Sequence, residues 1–283
     1  MTDQALDAAF DTLRTIYSAV PLPDGMRFLI DGYALDFHYR TPAALVVAFA
    51  ARAERYPLPG TQPAWGEEFL RKRGVSALHV SPDMSCWYRR PALEVFFTAA
   101  RDAGLFAAFG TVMTYGGSMG GFGALSFSGL AQAQRCLALN PQISLGPSVR
   151  SWERRYKKAL QQDWNGALCD IRTQAGQVET LVLVYDPYQG PDRKQAELVG
   201  LDHAIHLHVP FVGHRMPSHL QEMTLLGPLF DQCLAGRIGI AEFRIGARKR
   251  RSLGVWQEEM RQRNQDHPGR KARLDRLLPV TTA

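Results

Sequence analysis

Ser118 stands between Gly116 and Gly120 in the stretch Thr111-Val112-Met113-Thr114-Tyr115-Gly116-Gly117-Ser118-Met119-Gly120-Gly121-Phe122-Gly123-Ala124-Leu125. The apolar run before the glycines and the residues after them predict a buried strand, a tight turn and a helix, the setting of a G-x-S-x-G nucleophile elbow. Such a turn strains the serine backbone and leaves its hydroxyl standing proud of the sheet. Side chains two positions either side would collide, so both are glycine. Gly121 and Gly123 then let the helix lie close to the sheet. The Met119 N–H opens that helix, where partial positive charge can hold an oxyanion. The chemistry this predicts is attack of a serine on a carbonyl, which requires a base and an acid that orients it. Without that chemistry, the same residues are a glycine-rich turn of the kind that cradles phosphate.

On these residues the chain resembles the α/β-hydrolase superfamily, in the esterase-like branch whose turn reads G-x-S-M-G-G-x-G-A. The resemblance implies a serine, an acid and a histidine in that chain order, and the rest of the sequence is read for them. A histidine just past the last strand is the family's general base, and Gly213-His214 follows His203 to Val212, which reads as that strand. The acid belongs beyond the strand Thr180 to Tyr185. Asp186 comes at once, sooner than the family's usual spacing, and is the first choice; Asp192 is the rival. Asp192 precedes Arg193-Lys194-Gln195-Ala196-Glu197-Leu198, a helix pattern, so its ordinary role would be an N-cap. The resemblance also places the second oxyanion N–H in the loop after the strand Ala43 to Ala50, onto Ala50 or Ala51.

The elements that must position these groups follow from periodicity. Asp3 to Val20 has a helical period, closed by Pro21 and Pro23. Met26 to Ile30 and Leu35 to Tyr39 read as a hairpin around Asp31-Gly32. Ala43 to Ala50 is apolar throughout, as a strand covered on both faces must be. A long loop to Pro63, a helix from Trp65 to Arg73 and a strand from Ala77 to Val80 come next. The exit loop of that strand holds Asp83, Trp87, Tyr88 and Arg89, which are candidate substrate contacts because open α/β sheets bind ligands at the carboxyl ends of strands. A helix from Pro91 to Ala103 precedes the serine strand. After the serine helix and the strand Arg135 to Asn140, residues 142 to 177 break the alternation. Trp152, Tyr156 and Leu160 predict an amphipathic helix over Ser151 to Gln162. The resemblance makes this insert a helical cap, with Trp152 and Trp164 lining an acyl pocket or packing within the cap.

The chain has 283 residues, 46% hydrophobic and 21% charged, enough for one large domain and against wholesale disorder. Two parts are expected: an α/β domain over residues 1 to 235, a mostly parallel sheet flanked by helices, and a basic helical extension over 236 to 283. The extension has 12 Lys and Arg against 5 Asp and Glu, a charge of +7, so the other 235 residues sum to −1 of the net +6. No nucleic-acid module accompanies Arg248-Lys249-Arg250-Arg251, so nucleic acid is not the expected partner. The run reads as a solvated helix face, or as a surface for a protein partner or a second copy. Cys86, Cys136, Cys169 and Cys233 are scattered without a C-x-x-C, and no signal or membrane-spanning run is visible, which predicts a cytoplasmic, reducing setting. His206 and His208 share a strand face with His203 nearby, but no clustered cysteines or carboxylates complete a metal site. The expected function is hydrolysis of a carboxylic ester or thioester of a small-molecule acyl substrate, with no cofactor or metal. Acyl transfer by the same triad, peptide cleavage and a non-catalytic interaction protein on the same fold are the alternatives.

Overall fold

The structure, a computed structural model, describes residues 3–51, 63–157, 159 and 162–278. The elements in chain order are α1 (Asp3–Ile16), β1 (Ala19–Leu22), β2 (Gly25–Ile30), β3 (Tyr33–His38), β4 (Ala44–Phe49), α2 (Glu67–Arg71) and β5 (Ser76–Pro82). Next come α3 (Pro91–Asp102), β6 (Thr111–Gly117), α4 (Met119–Ser126), β7 (Arg135–Leu139), α5 (Ile171–Ala175), β8 (Thr180–Tyr185), α6 (Gly190–Glu197) and β9 (Ile205–His208). The chain closes with α7 (Met216–Glu222), α8 (Leu226–Leu234), α9 (Ile240–Gly246), α10 (Gly254–Arg263) and α11 (Pro268–Leu277).

One nine-stranded sheet runs through the molecule in the order β1-β2-β3-β5-β4-β6-β7-β8-β9. The first strands pair antiparallel, down to β3 with β5, and from there every pairing is parallel. The fold is therefore α/β, with a mostly parallel sheet covered by helices. The strands β4, β6 and β8 are buried almost along their length, as continuous apolar runs must be when helices cover both faces. On one face α1, α3 and α4 contribute Leu13, Phe96, Phe97 and Phe122 to a core with Phe49 and Leu183. On the other, α7 and α8 contribute Leu220 and Phe230, packed with Tyr115, Val182 and Leu207.

Two expectations are corrected here. The first helix stops at Ile16, and Ala19 to Leu22 is an edge strand paired with β2, including Pro21↔Met26. Proline is tolerated there because an edge strand has one side without a partner. The insert between β7 and β8 is also less helical than its pattern suggests. Among the described residues of Ser151 to Gln162 no α-helix forms; turns and irregular backbone carry Trp152 to Tyr156, and Leu160 lies outside the described residues. The Glu153 carboxylate accepts a hydrogen bond from the Arg155 N–H and grips the same residue's guanidinium, local bonds that replace a helix ladder. Short 3-10 turns at Pro147–Val149 and Ala167–Cys169 and the helix α5 supply its regular structure. The loop expected to supply an oxyanion donor is described only at Ala50 and Ala51; residues 52–62 lie outside the described residues.

The basic extension is built onto the sheet. Phe243, Ala247 and Leu253 are buried in the same apolar cluster as β8 and β9. The α10 residue Arg263 lies over the Phe211 ring at 4.9 Å, and Phe211 stacks on Tyr188 at 4.0 Å. The four cysteines are free thiols. Among the described residues, no helix is long and apolar enough to cross a membrane.

Candidate active site

The parallel strands β6, β7, β8 and β9 end on one edge of the sheet, and the site is assembled from the turns and loops at those ends. After β6 the chain turns within one residue into α4. Ser118 makes that turn at φ 54° and ψ −119°, left-handed backbone that a residue with a side chain adopts only under constraint. The constraint is close packing. A Cβ on Gly116 would stand 2.1 Å from the Gly120 carbonyl oxygen, and one on Gly120 would stand 2.2 Å from the Phe49 oxygen. The two glycines let strand, turn and helix approach this closely, and Ser118 takes up the strain between them.

The Ser118 Oγ lies 3.0 Å from His214 Nε2. His214 sits just past Gly213, whose φ of 71° turns the chain after β9. Its Nδ1 is 2.7 Å from Asp192 Oδ2. An ionised carboxylate only accepts, so Nδ1 carries the proton and Nε2 is left to accept from the serine hydroxyl. Asp192 belongs to the first turn of α6, and its side chain has no accessible surface.

This corrects the order of the two acids. Asp186, the first choice from the sequence, does not face the imidazole: its Oδ2 accepts from the N–H groups of Val212 and Gly213 at 2.9 and 2.8 Å, and its Oδ1 from Tyr188 N at 2.9 Å. Its carboxylate ties down the loop that delivers His214. Asp192 is not an N-cap either, since the α6 cap position is Gln189. One turn of chain beyond the strand is needed before a carboxylate can turn back toward His214, and Asp192 has that reach.

Of the residues expected to hold an oxyanion, Met119 is the first residue of α4 and is buried. The Ala50 N–H donates to Val80 O, so that donor is spent. The Ala50 carbonyl accepts from the Tyr88 hydroxyl at 2.6 Å. In a trans peptide the C=O and the next N–H point opposite ways, which turns the Ala51 N–H away from Tyr88.

The other residues singled out from the sequence divide. Trp87 donates its indole N–H to Gln142 Oε1 at 2.8 Å and packs its ring 5.3 Å from Tyr156, and both partners reach His214. Tyr88 is buried and holds the end of β4. Asp83 pairs with Arg90 at 3.1 Å, and Arg89 donates to the carbonyls of Asp163 and Asn165. Those two fasten loops. Trp152 lies under the Lys194 ammonium at 5.3 Å, and Trp164 packs 5.5 Å from Phe122 in the core. His206 and His208 both meet the Tyr185 hydroxyl, at 3.1 and 3.0 Å, and burial pushes both imidazoles below their usual range. Among the described residues no three His, Cys, Asp or Glu side chains gather as a metal would require.

Five residues around His214 were not anticipated. The Asn140 amide nitrogen lies 3.1 Å from Nδ1 and 3.2 Å from Nε2, and the Gln142 amide nitrogen lies 3.5 Å from Nε2. Trp87 can only donate, so the Gln142 oxygen faces it and the NH2 group is fixed toward the histidine. Both residues come directly after β7, and their place at a strand's carboxyl end was the available signal. From the insert, the Tyr156 hydroxyl comes within 3.2 Å of Nε2. Arg155 and Glu153 flank Asp192: Arg155 Nη1 donates to Asp192 Oδ1 at 2.6 Å, and Nη2 to Glu153 Oε2 at 2.6 Å. Burial would raise the Glu153 carboxyl, but the Arg155 hydrogen bonds and charge outweigh it and hold it below the usual carboxylate range. Burial is the leading cause that raises Tyr156.

No protein-family model and no curated protein sequence matches the chain. Solved structures do resemble it. The capsule O-acetyltransferase of Neisseria meningitidis serogroup A is 11% identical, with a TM-score of 0.50 over 75% of this chain and 97% of its own. An arylesterase is 17% identical, with a TM-score of 0.48 over 83% and 93%. A thermophilic carboxylesterase cloned from a metagenomic library is 13% identical, with a TM-score of 0.45 over 86% and 95%. At such identities the likeness concerns the fold. With its antiparallel opening strands, the crossed order of β5 and β4, and the serine turn after β6, the chain has the α/β-hydrolase fold.

Proposed function

We propose that this protein is a serine hydrolase that cleaves a carboxylic ester or thioester of a small-molecule substrate through an acyl-enzyme on Ser118. The observation that carries the reading is the relay of contacts from Ser118 Oγ to His214 Nε2 at 3.0 Å and from His214 Nδ1 to Asp192 Oδ2 at 2.7 Å, on a strained strand-to-helix turn. In this reading the turn is the nucleophile elbow. His214 takes the serine proton as Oγ attacks the carbonyl, and Asp192 holds the tautomer and stabilises the imidazolium. The N–H groups of Met119 and Ala51 receive the oxyanion. His214 then protonates the leaving group, and water attacks the acyl-enzyme by the same route. Asp186 acts through the backbone of Val212 and Gly213 by holding the histidine loop. The insert between β7 and β8 is the cap, with Trp87, Gln142 and Tyr156 lining the entrance to Ser118.

Acyl transfer to an alcohol is the second reading. The Tyr156 hydroxyl, 3.2 Å from Nε2, marks where an acceptor hydroxyl would give up its proton. The meningococcal structure of similar fold is an O-acetyltransferase. The test begins with intact mass after exposure to a fluorophosphonate. One stoichiometric adduct is expected on the parent, none on Ser118→Ala and much slower labelling of His214→Ala. An unlabelled, well-folded parent would sink the serine mechanism. Partitioning of p-nitrophenyl acetate between hydrolysis and transfer to added alcohols then separates the two readings.

A further inference from the structure

Asp192 has two carboxylate oxygens, and His214 uses one. The other accepts from Arg155 at 2.6 Å, and the same Arg155 Nη1 lies 3.4 Å from His214 Nδ1. The remaining nitrogens of the guanidinium are committed to Glu153, Nε to Oε1 at 2.9 Å and Nη2 to Oε2 at 2.6 Å. This is the two-pronged grip that a planar guanidinium can make and an ammonium cannot. The side chains of Glu153 and Asp192 have no accessible surface. Glu153 is locked in turn by Gln195 of α6, whose Nε2 lies 3.3 Å from Oε2 and donates to Ser144 O at 2.8 Å. One arginine on the insert thus bridges two buried carboxylates, one of which faces the imidazole.

The charges explain why two carboxylates are present. A guanidinium against Asp192 alone would cancel the negative charge that stabilises an imidazolium. With Glu153 opposite, the cluster sums to −1 while His214 is neutral and to zero once it is protonated. Buried charges are tolerated when paired and hydrogen-bonded, and here the pairing is complete only when the base has taken its proton.

We propose that Arg155 is a positioning residue for the catalytic acid and Glu153 its counter-charge, so that the insert between β7 and β8 sets the charge balance at His214. The inference rests on the reading of Ser118, His214 and Asp192 as a triad. The groups facing the Asp192–His214 pair are Ser118 from the elbow, Asn140 and Gln142 from the β7 exit, and Arg155, Glu153 and Tyr156 from the insert. Asp186 acts through the Gly213 N–H, Arg215 is the next residue after His214 in the chain, and Arg250 acts on Asp186 electrostatically. Among the described charged side chains other than Asp192, Arg155 is the one in direct contact with the imidazole.

Its removal therefore favours the imidazolium, and removal of Glu153 disfavours it. The experiment is the rate of fluorophosphonate labelling of full-length protein by intact mass, across pH from about 5 to 9, for the parent, Arg155→Met, Arg155→Lys and Glu153→Gln. Attack needs neutral His214, so the acidic limb of the profile reports its titration. In Arg155→Met the limb moves to higher pH by about half to one unit, and the plateau rate falls roughly tenfold as Asp192 loses its second anchor. Arg155→Lys keeps the charge and so the limb, but loses the fork and therefore plateau rate. In Glu153→Gln the limb moves to lower pH. Opposite shifts support the proposal, because a merely structural role has no sign. Limbs that coincide with the parent's, or move together, overturn it while a labelled parent leaves the serine mechanism standing. An unlabelled parent overturns that mechanism and this inference with it. Should Arg155→Met not fold, the limb of Glu153→Gln decides: a downward shift supports, and an unmoved or upward limb overturns.

Discussion

Asp186 and Asp192 are both buried carboxylates close to the same loop, and their partners separate their roles. Asp186 spends its oxygens on three backbone N–H groups, whereas Asp192 gives one to His214 and one to Arg155. Asp192→Asn is expected to lower turnover of p-nitrophenyl acetate by roughly a thousandfold or more with the melting temperature little changed. Asp186→Asn is expected to do the reverse, costing about 1–3 kcal/mol of stability in chemical denaturation and far less rate, because it breaks hydrogen bonds that hold the loop. A second residue reports on pH. Burial lowers the His79 imidazole to about 3, with His38 adding to the effect. The unfolded chain binds this proton near pH ~6.5 and the folded chain does not, so stability is lost as pH falls below that value. Between pH ~6.5 and ~5 the loss from this group is about 1–2 kcal/mol. Denaturation midpoints of the parent and His79→Gln, compared at both pH values, should show a smaller loss in the variant.

At the scale of elements, main-chain packing fixes the turn from β6 into α4, and side-chain bonds fix the insert. The turn is fixed by contacts that leave no room for a methyl group. Gly116→Ala would put a carbon 2.1 Å from a main-chain oxygen, which cannot swing away as a side chain would. A loss of about 3 kcal/mol is expected, read as a fall in melting temperature, together with loss of fluorophosphonate labelling. The insert holds its place through side chains: Arg89 to the Asp163 and Asn165 carbonyls, Arg155 to two carboxylates, and Trp164 against Phe122. An element fixed in this way brings charged and hydroxyl groups to the serine without a helix of its own at Trp152 to Tyr156.

For the whole molecule, the basic extension divides in two. Phe243, Ala247 and Leu253 fill the core beneath β9, and Arg263 covers the Tyr188–Phe211 stack beside the histidine loop. The last helix, α11, buries no residue. Truncation after Asp266 should leave the melting temperature within about 2 °C of the parent and labelling of Ser118 intact. Truncation after Ala235 removes apolar side chains worth about 1.5–3 kcal/mol each when fully buried, and should yield protein that is insoluble or fails to melt cooperatively. The +7 charge of residues 236–283 is thus attached to a structural clasp, and its most exposed part is α11.

The α/β class, most strands of the sheet, the serine turn and the histidine after β9 were all legible in the chain itself. Each depends on signals a few residues wide: apolar runs, glycines at fixed offsets from Ser118, and Gly213 before His214. The edge strand β1 was hidden by Pro21 within it, which an unpaired strand side admits, and by Pro23 just after it. The choice between Asp186 and Asp192 was beyond the sequence, since both come after the same strand and only the path of α6 decides which carboxylate turns toward His214. The periodicity around Arg155, Glu153 and Tyr156 predicts a helix, while their partners are distant in the chain. Asp192 lies 37 residues from Arg155, and His214 lies 58 from Tyr156. Local signals choose the elements, but charge pairing across such separations is settled only when the sheet brings the strand ends together.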